Sequence, residues 1–194
     1  MNNEAVIAFF DRLAPLWDSD MIRPEEVIRQ ILDGAGVGPG DRVLDVACGT
    51  GVLIPDYLGR GAASVTGIDI SPEMIRLARE KFRDGRVELI AGDAAVLHYG
   101  RRFDRIMIYN AFPHFCDPEG TIAHLAGFLM PGGTLTVAHG MSRERLEAHH
   151  RGRALEVSLG LPPQEELVRM FARFLTVTVD ISDDRMIQVT GRKE

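Results

Sequence analysis

The residues best equipped for chemistry stand at the ends of short apolar runs. Arg42-Val43-Leu44-Asp45-Val46 leads into Ala47-Cys48-Gly49-Thr50-Gly51, where two glycines let the backbone turn tightly and approach a ligand without Cβ obstruction. Loops of this kind serve several nucleotide-like ligands, and three details narrow the choice. No lysine follows, as a phosphate-cradling Gly-x-x-x-x-Gly-Lys-Ser/Thr loop requires. Ile54 stands where a dinucleotide fingerprint needs its third glycine. Asp45 opens the loop with a carboxylate, which repels phosphate and suits a cationic group. Asp69, 24 residues after Asp45, is placed to accept hydrogen bonds from both hydroxyls of a ribose. Asp93 ends the third run and can accept from an adenine amino group. Ile70, Met74 and Ala94 offer apolar walls for a ring, although Met74 is equally suited to a core. A lone Asp at a strand end is most often a cap or turn residue; three at successive strand ends beside one glycine loop favour a ligand.

A second group follows. In Tyr109-Asn110-Ala111-Phe112-Pro113-His114-Phe115, His114 is either a general base, with an ordinary pKa of about 6.5, or a structural loop histidine. His139 ends a later run, the better position for contact with a substrate. Ser142 is placed to cap a polar helix from Arg143 to Arg153, on which Arg143 and Arg145 suit an anionic substrate or a merely solvated face. His114, His139 and His149 match no metal-ligand spacing, so no metal is expected.

Helices and strands alternate around these residues. Helical periodicity covers 2–14, ended by Pro15, and Pro24 to Asp33. Strands are expected at 42–46, 64–69, 86–90, 104–109 and 134–139, with helices at Val52–Arg60, Pro72–Phe82 and 118–129 between them. Ser71 and Pro72 form a strong helix start, and Pro131-Gly132-Gly133 a turn before the fifth strand. A helix from Pro163 to Phe174 precedes strands at 175–181 and 185–190, which are joined at Asp183-Asp184 and therefore antiparallel. The alternation predicts an α/β fold, a doubly wound parallel sheet covered on both faces.

The 194 residues, 45% hydrophobic and 26% charged, suit one globular domain. A net charge of −6 disfavours nucleic acid as a partner. Two cysteines form no disulfide framework. No signal-peptide pattern opens the chain and no long apolar run spans a membrane, so a cytoplasmic protein, monomer or homodimer, is expected.

Val43-Leu44-Asp45-Val46-Ala47-Cys48-Gly49-Thr50-Gly51, Gly67-Ile68-Asp69-Ile70-Ser71-Pro72-Glu73-Met74, Gly92-Asp93-Ala94, Phe103-Asp104 and Leu129-Met130-Pro131-Gly132-Gly133 together resemble a class I S-adenosylmethionine (SAM)-dependent methyltransferase, of the ubiquinone/menaquinone C-methylase type. The resemblance implies a Rossmann-like sheet of seven strands in the order 3-2-1-4-5-7-6, with the last strand antiparallel. It implies SAM as cofactor and S-adenosylhomocysteine (SAH) as product. The loop Asp45, Ala47, Cys48, Gly49, Thr50 and Gly51 would lie under SAM, Asp69 on its ribose, Asp93 and Ala94 at its adenine, and Asn110 against the cofactor. Ala47 departs from the glycine the family often carries. Phe9-Phe10-Asp11-Arg12-Leu13-Ala14-Pro15-Leu16-Trp17-Asp18 is similar to a Phe-Asp-x-x-Ala-x-x-Tyr/Trp-Asp segment of the same family, which implies a lid with Trp17 over the sulfonium. One domain over 1–194 is expected, with a helical lid at 1–36, a SAM core at 40–140, and a substrate-side helix and closing hairpin at 141–194. The missing Asn/Asp-Pro-Pro-Tyr/Phe after the fourth strand turns the expected acceptor towards a small molecule. A nucleic-acid or protein methyltransferase and a non-catalytic SAM-binding module are the alternatives. A short-chain dehydrogenase is not: Tyr57, Tyr99 and Tyr109 are followed four positions on by Gly61, Phe103 and Pro113 rather than lysine.

Overall fold

The computed structural model describes residues 2–19, 21–153 and 157–194, and no side chain from 149 to 153. His149 therefore lies outside the described side chains. Seven strands form one sheet: β1 (Arg42–Val46), β2 (Ser64–Asp69), β3 (Val87–Ala91), β4 (Phe103–Tyr109), β5 (Leu129–His139), β6 (Thr176–Ser182) and β7 (Ile187–Arg192). Their order is β3-β2-β1-β4-β5-β7-β6, with β7 antiparallel to both neighbours, as expected. Asp183 shapes the last hairpin by accepting from the backbone N–H groups of Arg185 and Met186, each at 2.8 Å.

Alternation along the central strands sends side chains to two helical layers. On one face Leu44, Ile106, Leu135 and Val189 meet Ile122 and Leu125 of α5 (Pro118–Ala126) and Leu167 and Phe171 of α7 (Gln164–Ala172). On the other, Val43, Val65, Met107 and Ala138 meet Ile28 and Ile31 of α2 (Glu25–Ala35) and Tyr57 of α3 (Ile54–Gly59). The α2 helix thus belongs to the layer that covers the sheet. α1 (Asn3–Leu13) and the turn behind it lie on α4 (Pro72–Lys81). α6 (Arg143–Arg153) follows β5.

The expected end of the first helix at Pro15 is met, and the Pro131 signal resolves differently from expectation. Pro15 sits inside a 3-10 turn over Ala14–Leu16 that continues directly from α1, since a proline is tolerated in a first turn, where its N–H would have no partner. Pro131-Gly132-Gly133 does not precede β5 but interrupts it. Leu129 already pairs with Phe103, and the next pair is Arg105 with Thr134. The extra residues bulge out through Gly132 at φ +77°, whose N–H donates to the Lys193 carbonyl at 2.8 Å. A Cβ on Gly133 would sit 2.9 Å from the Asp104 and Met130 carbonyl oxygens, so glycine is required there.

Where α2 crosses β7, Gln188 is fully buried and donates to the Ile31 carbonyl at 3.0 Å. A Cβ on Gly34 would lie 2.8 Å from Gln188 Nε2. Alanine is about 1 kcal/mol better than glycine inside a helix, but overpacking costs about 1–3 kcal/mol. Gly34→Ala is expected to lower stability in urea unfolding by about 1 kcal/mol, and to raise it in a Gln188→Ala background, where the obstacle is gone.

Candidate active site

The carboxyl edge of the sheet is built from turns that leave ordinary backbone space. After β1 the chain passes through Ala47 at φ +55°, Gly49 at +55° and Gly51 at +89°. The left-handed conformation costs a non-glycine residue roughly 1–2 kcal/mol, so Ala47 carries the strain that the family's glycine avoids. Cys48 N–H donates to the Ile68 carbonyl at 3.0 Å, and its buried side chain packs towards Gly67 of β2. The loop therefore turns Cys48 inward and leaves its backbone at the edge.

Three strand ends bring the acids together. Asp69 Oδ2 accepts from Gly49 N–H at 2.8 Å and Oδ1 from Ser71 N–H at 2.9 Å. Burial pushes its pKa up to about 6, the two backbone donors pull it back, and the charge of Asp11 adds to the rise. Asp45 is fully enclosed, and burial pushes it up to about 8, with Tyr57 opposing and the charges of Asp69 and Asp56 reinforcing the shift. Its Oδ2 has no hydrogen-bond partner among the described residues. A buried carboxylate oxygen without a donor is what a cationic ligand group would satisfy. Asp93 is half-buried; Oδ1 accepts from Ala95 N–H at 2.9 Å and Oδ2 from the Asn3 side chain at 2.7 Å. Ala94 is buried against the core, Met74 is fully interior, and Ile70 packs beneath Val6, Phe9 and Phe10 of α1.

The N-terminal segment is fastened to each part of this edge. Asp11 Oδ1 accepts from the Ser71 hydroxyl and from Glu73 N–H, while Ser71 Oγ itself caps Met74 N–H. Asp18 accepts from the Thr50 hydroxyl and pairs with Lys81 at 2.8 Å. Burial works against the Asp18 carboxylate, and the hydrogen bonds of Lys81 and Thr50 outweigh it, holding its pKa below the usual value. Trp17 lies over the loop, with its indole nitrogen 3.6 Å from where a Cβ of Gly49 would be. Sequence reasoning placed Trp17 here and gave no role to Asn3, Asp11 or Asp18. The Phe-Asp…Trp-Asp pattern was the available signal for the two acids; Asn3 had none.

On the other side of the loop stand the candidates for the substrate. Asn110, the second non-glycine residue at positive φ (+55°), donates its N–H to the Ala138 carbonyl and accepts from Gly140 N–H through Oδ1 at 3.0 Å. It thereby ties the ends of β4 and β5, a role asparagine fills because it tolerates this conformation. His114 lies edge-on to Phe10, ring centroids 5.0 Å apart, and Phe10 in turn meets Trp17. His114 Nδ1 is 2.7 Å from the Val157 carbonyl, an acceptor, so Nδ1 is the donor in this contact. His139 is fully buried where β5 pairs with Ile187. Arg143 is half-buried and donates to the Leu161 carbonyl at 3.2 Å. Among the described residues no three His, Cys, Asp or Glu side chains gather as a metal site, and no helix is long and apolar enough to cross a membrane.

Residues 43–133, from β1 into β5, match the family profile described as a methyltransferase domain. Over these residues the chain is similar to a methyltransferase domain. Over 141 residues, 70% of the chain, it is 33% identical to the demethylmenaquinone methyltransferase of Renibacterium salmoninarum, of which it spans 58%. Several other curated relatives are likewise covered over about half their length. The methyltransferase fold extends beyond the matched segment. The magnesium protoporphyrin IX methyltransferase of Synechocystis PCC 6803, solved with bound SAH, superimposes with a TM-score of 0.75 over 100% of both chains at 16% identity. The DhpI–SAM–HEP complex superimposes with a TM-score of 0.76 over 97% of this chain and 96% of that one, at 21% identity.

The enclosed acid of the methyltransferase loop has a signature in pH. Asp45 ionises near 3.8 when exposed and near 8 in the fold. The unfolded chain therefore gains from ionisation first, and the Asp45 contribution to stability is lost as pH rises from about 4 to about 8. Asp45→Asn should leave the melting temperature unchanged relative to the parent near pH 4 and raise it progressively towards pH 8. A difference independent of pH, measured by thermal unfolding across that range, would show that Asp45 is not held protonated.

Proposed function

We propose that this chain is a SAM-dependent methyltransferase that methylates a small molecule. The observation that carries the reading is the set of three carboxylates, Asp45, Asp69 and Asp93, at the ends of adjacent strands around one left-handed loop. Asp45 Oδ2 would take the ammonium of the cofactor's amino-acid portion, so that the buried carboxylate ionises against a cation. Asp69, its two oxygens fixed by Gly49 and Ser71 N–H groups, has lone pairs remaining for two ribose hydroxyls. Asp93 would accept from the adenine amino group beside Ala94 and Ile70. The Ala47–Gly51 backbone, Met74 and Asn110 complete the surround, and Trp17 over Gly49 would exclude water. When bound, SAM supplies a methyl carbon made electrophilic by its sulfonium.

The chain's own contribution to transfer is then positioning and proton removal. His114 Nε2 would take the acceptor's proton, its ring oriented by the Val157 carbonyl and by Phe10. Names of the relatives support a small acceptor, since several act in quinone biosynthesis. A nucleic-acid acceptor has weaker support in a chain of net charge −6.

Calorimetric titration should show binding of SAM and SAH and none of NAD. Asp69→Ala is expected to weaken SAM about 10–100-fold, as loss of charge-assisted hydrogen bonds implies. NAD binding, or no SAM binding by the intact chain, would sink the proposal. A labelled-methyl screen of small-molecule pools then identifies the acceptor. With that acceptor His114→Gln should lower kcat about 100-fold or more and leave SAM affinity within a factor of about two. Unchanged kcat would remove His114 from proton transfer.

A further inference from the structure

Arg143 is half-buried; the charge of Glu144 acts on it, but among the described residues it makes no ion pair. Its Nη1 donates to the Leu161 carbonyl at 3.2 Å, while Nη2 is shut off from solvent and has no hydrogen-bond partner among the described residues. The chain treats its other enclosed guanidinium groups differently. Arg23 is paired with Asp56 at 3.0 Å and with Glu25 at 2.9 Å, and Arg105 with Asp41 at 3.1 Å. A guanidinium stays charged at every working pH, and leaving a buried donor of a charged group unmet costs more than leaving a neutral one. The fork of N–H groups on Arg143 matches the oxygens of a carboxylate or phosphate.

Its position connects it to the candidate substrate side. Leu161 ends a segment that is fastened to the loop after β4 by Leu159 N–H on the Pro113 carbonyl at 2.8 Å and by His114 Nδ1 on the Val157 carbonyl. Val157 packs on Val6 of the lid. From the other direction, Gly140, three residues before Arg143, is bonded to Asn110 of the same loop. The segments that carry Arg143 and its partner Leu161 are thus both fastened to the loop that carries His114.

We infer that Arg143 is the recognition site for an oxyanion, a carboxylate or phosphate group, carried by the methyl acceptor. This rests on the methyltransferase reading above and deepens it from a small molecule to an anionic one. The anion would meet the Nη2 edge of the guanidinium, and the apolar remainder of the acceptor would lie towards Phe10 and His114. Arg143 would then bind and orient the acceptor and take no part in proton transfer.

The test is calorimetric titration of the SAH-loaded chain with benzoate, phenyl phosphate and the neutral benzamide. Expected are measurable binding of at least one anion, none of benzamide, and a loss of about tenfold or more in anion affinity in Arg143→Gln, with SAH affinity retained. The stronger of the two anions tells carboxylate from phosphate. Should Arg143→Gln not melt cooperatively, Arg143→Lys is read instead; it keeps the charge without the fork and should bind the anion at intermediate strength. Benzamide binding equal to benzoate, anion binding unaffected by either substitution, or no anion binding by the SAH complex overturns the inference and leaves methyltransferase function intact. Failure of the parent chain to bind SAH overturns both.

Discussion

The whole carboxyl edge depends on one carboxylate. Asp69 holds Gly49 with one oxygen and Ser71 with the other, joining the loop after β1 to the start of α4. Burial makes its ionised form costly, and two backbone N–H groups offset that cost. The result is a rigid link between the two elements that any ligand on this edge must touch. The same link sets the height of Trp17 over Gly49 and the position of the α4 N-terminus on which Asp11 rests. Pre-organisation of this kind means that ordering the loop need not be drawn from ligand binding energy.

The N-terminal segment repeats the logic with further polar side chains. Asn3, Asp11 and Asp18 each end on a different part of the edge: Asp93 after β3, the start of α4, and Thr50 in the loop. Asp11 and Asp18 also add negative charge to a region already holding Asp45 and Asp69, against which the described ion pair is that of Asp18 with Lys81. Such an edge is an unfavourable host for a phosphate and a favourable one for a cation. On the far side of the loop stand His114 and Arg143, away from this group of acids.

Much of the fold was legible because its signals are local. Short apolar runs bounded by glycine, proline and aspartate marked the strands, Ser71-Pro72 marked a helix start, and the close spacing of the last two strands required them to be antiparallel. Misreadings came where a local signal had a second solution. Pro131-Gly132-Gly133 reads as a turn, and the pairing of Leu129 with Phe103 makes it a bulge within β5. Pro15, by contrast, reads as a stop, and α1 does end at Leu13 just before it. α2 reads as part of a lid because amphipathicity shows that a helix has an apolar face but not which surface covers it.

The candidate site divides along the same line. The sequence by itself determined the glycine loop, the acids at three successive strand ends and the aromatic lid segment, since each is a pattern of residue types at short range. Only the tertiary structure decided that Asp69 clamps the loop, that Asn3 meets Asp93 across 90 positions, and that His139 is enclosed while His114 stands against Phe10. It also decided that Asp45 and Arg143 each keep a buried polar atom without a partner. Burial and pairing are properties of the assembled chain: they depend on which distant segments arrive around a side chain, and no local pattern carries that information.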